Sequence, residues 1–346
     1  MRNIFFKSEY SALIGHGAVR ELGNIASECV TGRRALVVSS EGVPTEHVGK
    51  CIKALEEAGF LTDELLIPSG ESEKTLAAVE TIIGKLYDMR ITRSDCVIGV
   101  GGGILGDIAG FAAAVYLRGV GFISVPTTLI AAADSAYGGK VGVNFRGGKN
   151  HIGCFHDPKA VVLDTDFLST LPDAELSNGM GEVIKYGVIA EPFILDSVSG
   201  RVPSDDIIAK CVDIKRAYVQ ADPFDRGERH VLNFGHTYGH AIEEAYSYSI
   251  PHGQAVAYGM LAAIRLGEAL NVTDRAVFPR VELAIKKAGL DTRYEDHLPD
   301  SFCFIARDKK SDGAFVDAVL IKEAGKPIRM RLAHETLINR QLVLPK

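Results

Sequence analysis

Asp95-Cys96-Val97-Ile98-Gly99-Val100-Gly101-Gly102-Gly103-Ile104-Leu105-Gly106-Asp107 is the stretch that decides the fold. A short apolar run enters a cluster of glycines, and a helical pattern leaves it. Glycine lets a backbone turn sharply and approach a ligand closely. The helix N-terminus that follows presents N–H groups suited to an anion. Gly101, Gly103 and Gly106 satisfy the spacing of a dinucleotide-binding turn. The acidic residue usual about 20 positions further on is missing, because that stretch reads Ile123-Ser124-Val125-Pro126. Read alone, the segment fits a tight strand–helix turn with no ligand equally well. Pro68-Ser69-Gly70-Glu71, with Lys74 beyond it, offers polar contacts from another loop.

Working outward, Ala35–Val38, Glu64–Ile67, Cys96–Val100 and Phe122–Val125 read as strands. Thr45–Gly59, Lys74–Met89 and Ile104–Leu117 read as helices between them. Continuous apolar strands alternating with helices predict a parallel sheet covered on both faces. The pattern changes near Leu171-Pro172. From Asp173 to about Gly289 the runs are long and amphipathic, and Phe315–Ile321 with Ile328–Leu332 reads as a hairpin around Gly325-Lys326-Pro327. The expectation is an α/β, Rossmann-like dinucleotide-binding domain over residues 1–170. A mostly α-helical, metal- and substrate-binding domain follows over residues 171–346.

The 346 residues carry 38 Lys and Arg against 44 Asp and Glu, a net charge of −6. No global basic field points to nucleic acid or an anionic membrane. Six scattered cysteines without a Cys-x-x-Cys pair predict free thiols in a reducing compartment. Met1–Lys7 lacks the apolar core of a signal peptide, and the longest uncharged stretch, Gly119–Ala133, contains Pro126. A cytoplasmic protein is expected. Glycine is in excess, 36 residues.

The helical half carries denser chemistry. Asn233-Phe234-Gly235-His236-Thr237-Tyr238-Gly239-His240 puts two histidines one helical turn apart on one face. His252 follows in Pro251-His252-Gly253, where a new helix would begin, and Glu182 precedes Lys185 by three residues. Two imidazoles and a carboxylate with an open position describe a catalytic zinc site. The histidine pair by itself would better suit hydrogen bonding in a helical core. Asp134-Ser135-Ala136-Tyr137-Gly138-Gly139-Lys140, followed by Gly147-Gly148-Lys149-Asn150, sets lysines among glycines that can reach an anion; taken alone it reads as a solvated loop.

Together, Gly101-Gly-Gly-x-x-Gly-Asp107, Tyr116-Leu-Arg118-Gly, Pro126-Thr-Thr-Leu129, Gly138-Gly-Lys140, Gly148-Lys-Asn150, Glu182-Val-Ile-Lys185-Tyr-Gly and Asn233-Phe-Gly-His236-Thr-Tyr-Gly-His240 resemble the 3-dehydroquinate synthases. These belong to the sugar-phosphate cyclases. The resemblance spans roughly Arg34 to Lys310. It implies a divalent metal, zinc or cobalt, on Glu182, His236 and His252. It implies NAD on Gly102, Gly103 and Asp107, with Thr127, Thr128, Lys140 and Lys149 nearby and Glu71 and Lys74 reaching its ribose. Asp134, Lys140, Asn150, Lys185, Lys215, Arg229, Asn233, His240 and Lys310 (or Lys309) match positions around a seven-carbon keto acid phosphate. Arg118 matches a residue that reaches the phosphate from a partner subunit, which implies a homodimer. The implied reaction turns 3-deoxy-D-arabino-heptulosonate 7-phosphate into 3-dehydroquinate and phosphate, through transient oxidation by NAD, β-elimination, re-reduction and aldol closure.

Two positions depart from that pattern: Ser40-Glu41-Gly42 after the first strand, and Tyr137, large enough to reshape a pocket. The rival readings are a sister cyclase such as 2-deoxy-scyllo-inosose synthase, a metal-dependent polyol dehydrogenase, and a catalytically dead binding protein. Arg229 and Asn233 match the quinate-forming pattern. The many cations disfavour a simple dehydrogenase, and the intact Glu182, His236 and His252 disfavour a dead scaffold.

Overall fold

A computed structural model describes residues 1–6, 10–305 and 315–345. The chain divides into two compact units, Met1–Leu171 and Pro172–Lys346. In the first, strands β1 (Arg2–Phe5), β2 (Ser11–Gly15), β3 (Arg34–Ser40), β4 (Leu61–Ile67), β5 (Cys96–Gly101), β6 (Gly121–Pro126) and β9 (Ala160–Asp164) form one sheet in the order β1-β2-β9-β6-β5-β3-β4. Every pairing is parallel except β1 with β2, so the sheet is mixed at one edge.

Alternation along the strands sends residues to two faces. Val37, Ile98 and Ile123 pack under helices α1 (Leu22–Cys29) and α2 (Thr45–Glu57). Leu36, Val38 and Val97 pack under α3 (Leu76–Asp88) and α4 (Gly103–Val115). Being buried on both faces explains why these strands read as unbroken apolar runs.

Several boundaries differ from expectation. The third helix begins at Leu76 rather than Lys74, because the Thr75 side chain caps it by accepting from Ala78 N–H. The fourth ends at Val115, and the chain then turns through Leu117 at φ 50°. The lysine–glycine segment is a hairpin and not a loop: β7 (Lys140–Phe145) pairs antiparallel with β8 (Gly148–Phe155). Gly142 faces Gly153 across that ladder, and a Cβ on either would lie within 2.6 Å of the opposite backbone. Glycine is required there by close approach, which hid the strands from a propensity reading. Tyr137 lies buried beside Phe6, itself stacked on Tyr10, as part of the core.

The second unit consists of α5 (Asp173–Ile189), α6 (Phe193–Ser197), α7 (Asp205–Ala221), α8 (His236–Ala245), α9 (His252–Ala269), α10 (Val277–Lys287) and α11 (Leu298–Ile305), then the hairpin β10 (Phe315–Glu323) and β11 (Lys326–Ala333) and the short helices α12 (His334–Leu337) and α13 (Arg340–Val343). Three of its helices approach closely at glycines. A Cβ on Gly253 would lie 1.7 Å from the Asn178 carbonyl oxygen, joining α9 to α5. A Cβ on Gly259 would lie 1.9 Å from the Gly235 carbonyl oxygen, joining α9 to the entry of α8. No helix of the described residues is long and apolar enough to cross a membrane.

Candidate active site

In the first unit the glycine turn delivers the start of α4. A Cβ on Gly102 would sit 3.0 Å from Thr128, and one on Gly103 2.6 Å from Ser135 Oγ. Ser135 Oγ is buried with no hydrogen-bond partner. Gly102, Gly103, Asp107, Ser135 and Lys140 line one cleft. Thr127 N–H donates to the Gly101 carbonyl (3.0 Å), and Thr128 Oγ1 accepts from Ala131 N–H (3.3 Å). Asp134 stands half-buried in the π-helical turn Ala131–Ser135.

Lys74 is buried, and its ammonium binds both the Asp107 carboxylate and the Asn150 amide oxygen. Asn144 Nδ2 donates to Glu71 Oε1 at 2.7 Å. The β7–β8 hairpin, the Glu71–Lys74 segment and α4 are thereby tied together, with Lys140 exposed and Lys149 half-buried at the hairpin. Arg118 is exposed, at φ 65°.

In the second unit, one face of α5 carries Asn178, Glu182 and Lys185 at helical spacing. Glu182 is fully buried and ion-paired with Lys185, which is 1% exposed. Its Oε1 lies 3.3 Å from His236 Nε2 and 3.1 Å from His252 Nε2. Gly253 N–H donates to Asn178 Oδ1 at 2.6 Å, locking the first turn of α9 onto α5. The other nitrogen of each ring is also engaged. His236 Nδ1 faces the Phe234 carbonyl at 3.1 Å, and His252 Nδ1 faces Glu243 Oε1 at 3.3 Å.

Burial alone would raise the Glu182 carboxyl, but Lys185 and His236 hold it well below the usual carboxylate range. Burial draws His236 down. It draws His252 down as well, yet the carboxylates of Glu182 and Glu243 outweigh it and carry that imidazole up to about 9. The ionised Glu182 is thus balanced by Lys185 and by a protonated His252, which itself lies between two carboxylates.

His230, Asn233, His236 and His240 line a cleft, with His240 exposed and its ring centroid 5.2 Å from that of His236. Lys215 is buried on α7. Arg229 is buried too, and its Nη1 donates to the Pro223 carbonyl at 3.0 Å. The Lys309 and Lys310 positions lie outside the described residues. Three contributors escaped the sequence reading: Ser135, Asn178 and Glu243. Asn178 was detectable as the residue one turn before Glu182, and Glu243 as the residue two turns after His236.

Family profiles match two adjoining stretches, 3-dehydroquinate synthase N-terminal over residues 64–178 and 3-dehydroquinate synthase C-terminal over residues 179–311. The 3-dehydroquinate synthase of Clostridium acetobutylicum is 38% identical over 328 residues, covering 92% of each chain. The chain belongs to the 3-dehydroquinate synthase family. Among solved structures, this family member is similar to 2-deoxy-scyllo-inosose synthase complexed with carbaglucose-6-phosphate, NAD+ and Co2+, with a TM-score of 0.87, 26% identity, and 97% of this chain and 98% of that one covered. It shares its fold with 2-epi-5-epi-valiolone synthase from Streptomyces hygroscopicus, a structure with NAD+ and Zn2+ bound, at a TM-score of 0.84, 24% identity and 97% and 96% coverage.

Proposed function

We propose that this chain is a working 3-dehydroquinate synthase, a phosphate-eliminating lyase that uses NAD and a divalent metal. The observation that carries the reading is the convergence of Glu182, His236 and His252, whose ligand atoms lie within 4.8 Å of one another, beside the buried Lys185. This donor set fits zinc or cobalt, since nitrogen and oxygen ligands on three residues leave a position open. The pyrophosphate is assigned to the cleft at Gly102 and Gly103, where α4 begins and the buried Ser135 hydroxyl is left without a partner.

NAD supplies a reversible hydride acceptor, and the metal a Lewis acid for a substrate hydroxyl. The chain's own groups do the remainder. Lys185 keeps Glu182 ionised. Asp134, Asn150 and Asn233 orient the substrate, and Lys140 and Lys215 also neutralise its charge. Arg229 is assigned to the carboxylate, Lys310 (or Lys309) to the substrate, and His240 exchanges the proton at its imidazole nitrogen. Thr127 and Thr128 shape the dinucleotide site, Lys149 lies beside it, and Glu71 and Lys74 support its ribose side. The active form is a homodimer, with Arg118 reaching the phosphate of the other subunit's substrate.

The test supplies purified protein with NAD, zinc and 3-deoxy-D-arabino-heptulosonate 7-phosphate. Phosphate is expected to be released without net NADH, and Arg229→Ala is expected to raise KM for this substrate. Steady NADH accumulation would mark a polyol dehydrogenase. Turnover of a hexose phosphate alone would mark a sister cyclase, and no turnover of any of these a binding protein.

A further inference from the structure

The described residues contain two overlapping groups able to hold a metal, Glu182–His236–His252 and His240–Glu243–His252, and His252 belongs to both. We infer that Glu243 is a positioning residue for the first group rather than a ligand in the second: its carboxylate accepts the Nδ1–H of His252, directing Nε2 toward Glu182 and His236. The inference rests on the metal-dependent reading above.

Three observations carry it. His236, His240 and Glu243 lie on one face of α8, at spacings of four and seven residues. That face therefore addresses both edges of the His252 ring, His236 on the Nε2 side and Glu243 on the Nδ1 side, where Oε1 stands at 3.3 Å. The second is the parallel treatment of His236, whose Nδ1 is directed at the Phe234 carbonyl and whose Nε2 points at Glu182. Both histidines thus offer the same nitrogen to the same place. The third is burial: Glu243 is 3% exposed, whereas His240 is exposed. A carboxylate set behind a ligating histidine fixes its tautomer and raises its basicity.

The experiment measures zinc affinity by chelator competition, together with metal stoichiometry and the visible absorption of the cobalt-loaded protein. Glu243→Gln is expected to weaken zinc roughly 10–100-fold, keep one equivalent per chain and leave the cobalt band positions in place. His240→Ala is expected to keep wild-type zinc affinity. Because Glu243→Gln could disturb folding, wild-type protein with 15N-labelled histidine is also examined in its zinc-loaded form. His252 should then show a protonated Nδ1 and a ligated Nε2. Wild-type affinity in Glu243→Gln, an altered cobalt spectrum in that variant, equal loss of zinc on His240→Ala, or a ligated Nδ1 would each overturn the inference while leaving the metal-dependent reading intact. A wild-type protein that binds no zinc would overturn both.

Discussion

Asp291 shows how a side chain far from the proposed chemistry holds part of the site. Its carboxylate accepts from Tyr258 Oη at 2.9 Å, and its backbone exchanges two hydrogen bonds with the Gln254 side chain. Both partners stand in the first two turns of α9, the helix that opens with His252. Desolvation would raise the Asp291 carboxyl, but Arg293 and Tyr258 hold it at about 2. A carboxyl depressed in the folded state contributes stability above its unfolded value, near 4, and that contribution fades as pH falls toward 2. Solvent screening at this partly exposed site reduces the effect, so Asp291→Asn is expected to cost roughly 1 kcal/mol at neutral pH, a difference that shrinks as pH falls from 4 and vanishes only below the folded value. Urea titrations of both proteins across that range provide the check. Glu182, His236 and His252 were legible from chemistry and motif. Helical spacing put Asn178 and Glu243 on the right faces, but what they and Asp291 bind depends on which helix packs against which, and that information is not local to the chain.

At the scale of elements, glycines set the close approaches between α5, α8 and α9 in the second unit. Leu, Ile and Val can pack helices at many offsets, but a glycine pressed on a carbonyl admits one. Gly253→Ala would drive a methyl group into the Asn178 carbonyl, 1.7 Å away, and break the N–H bond to Asn178 Oδ1. A loss of about 3 kcal/mol is expected, together with weakened zinc binding. Thermal unfolding and chelator competition on the variant measure the two effects, and unchanged affinity would show that this contact does not set the site. Apolar periodicity revealed the helices themselves and the central strands. The β7–β8 hairpin stayed hidden because its glycines, needed for strand-to-strand contact, carry the composition of a loop.

For the whole molecule, the testable claim is that each active site borrows Arg118 from a second copy. Arg118→Ala and His236→Ala should each be inactive alone. Mixed after dissociation and reassembly, they should regain activity, because a hybrid contains one site with its own His236 and an intact Arg118 from the other chain. Absence of recovery in hybrids verified by mass would place Arg118 in its own subunit's chemistry or in none. The net charge of −6 was a poor guide at this scale. It averages surface carboxylates with cations such as Lys74, Lys185, Lys215 and Arg229, all of which are buried.

The glycine contacts also decide which edge of the candidate site faces outward. With Gly253 set against Asn178, the start of α9 lies on α5, Glu182 is fully buried, and the His252 and His240 rings form the solvent-facing edge. A chelator offered to the zinc-loaded protein would meet those imidazoles before it met the carboxylate.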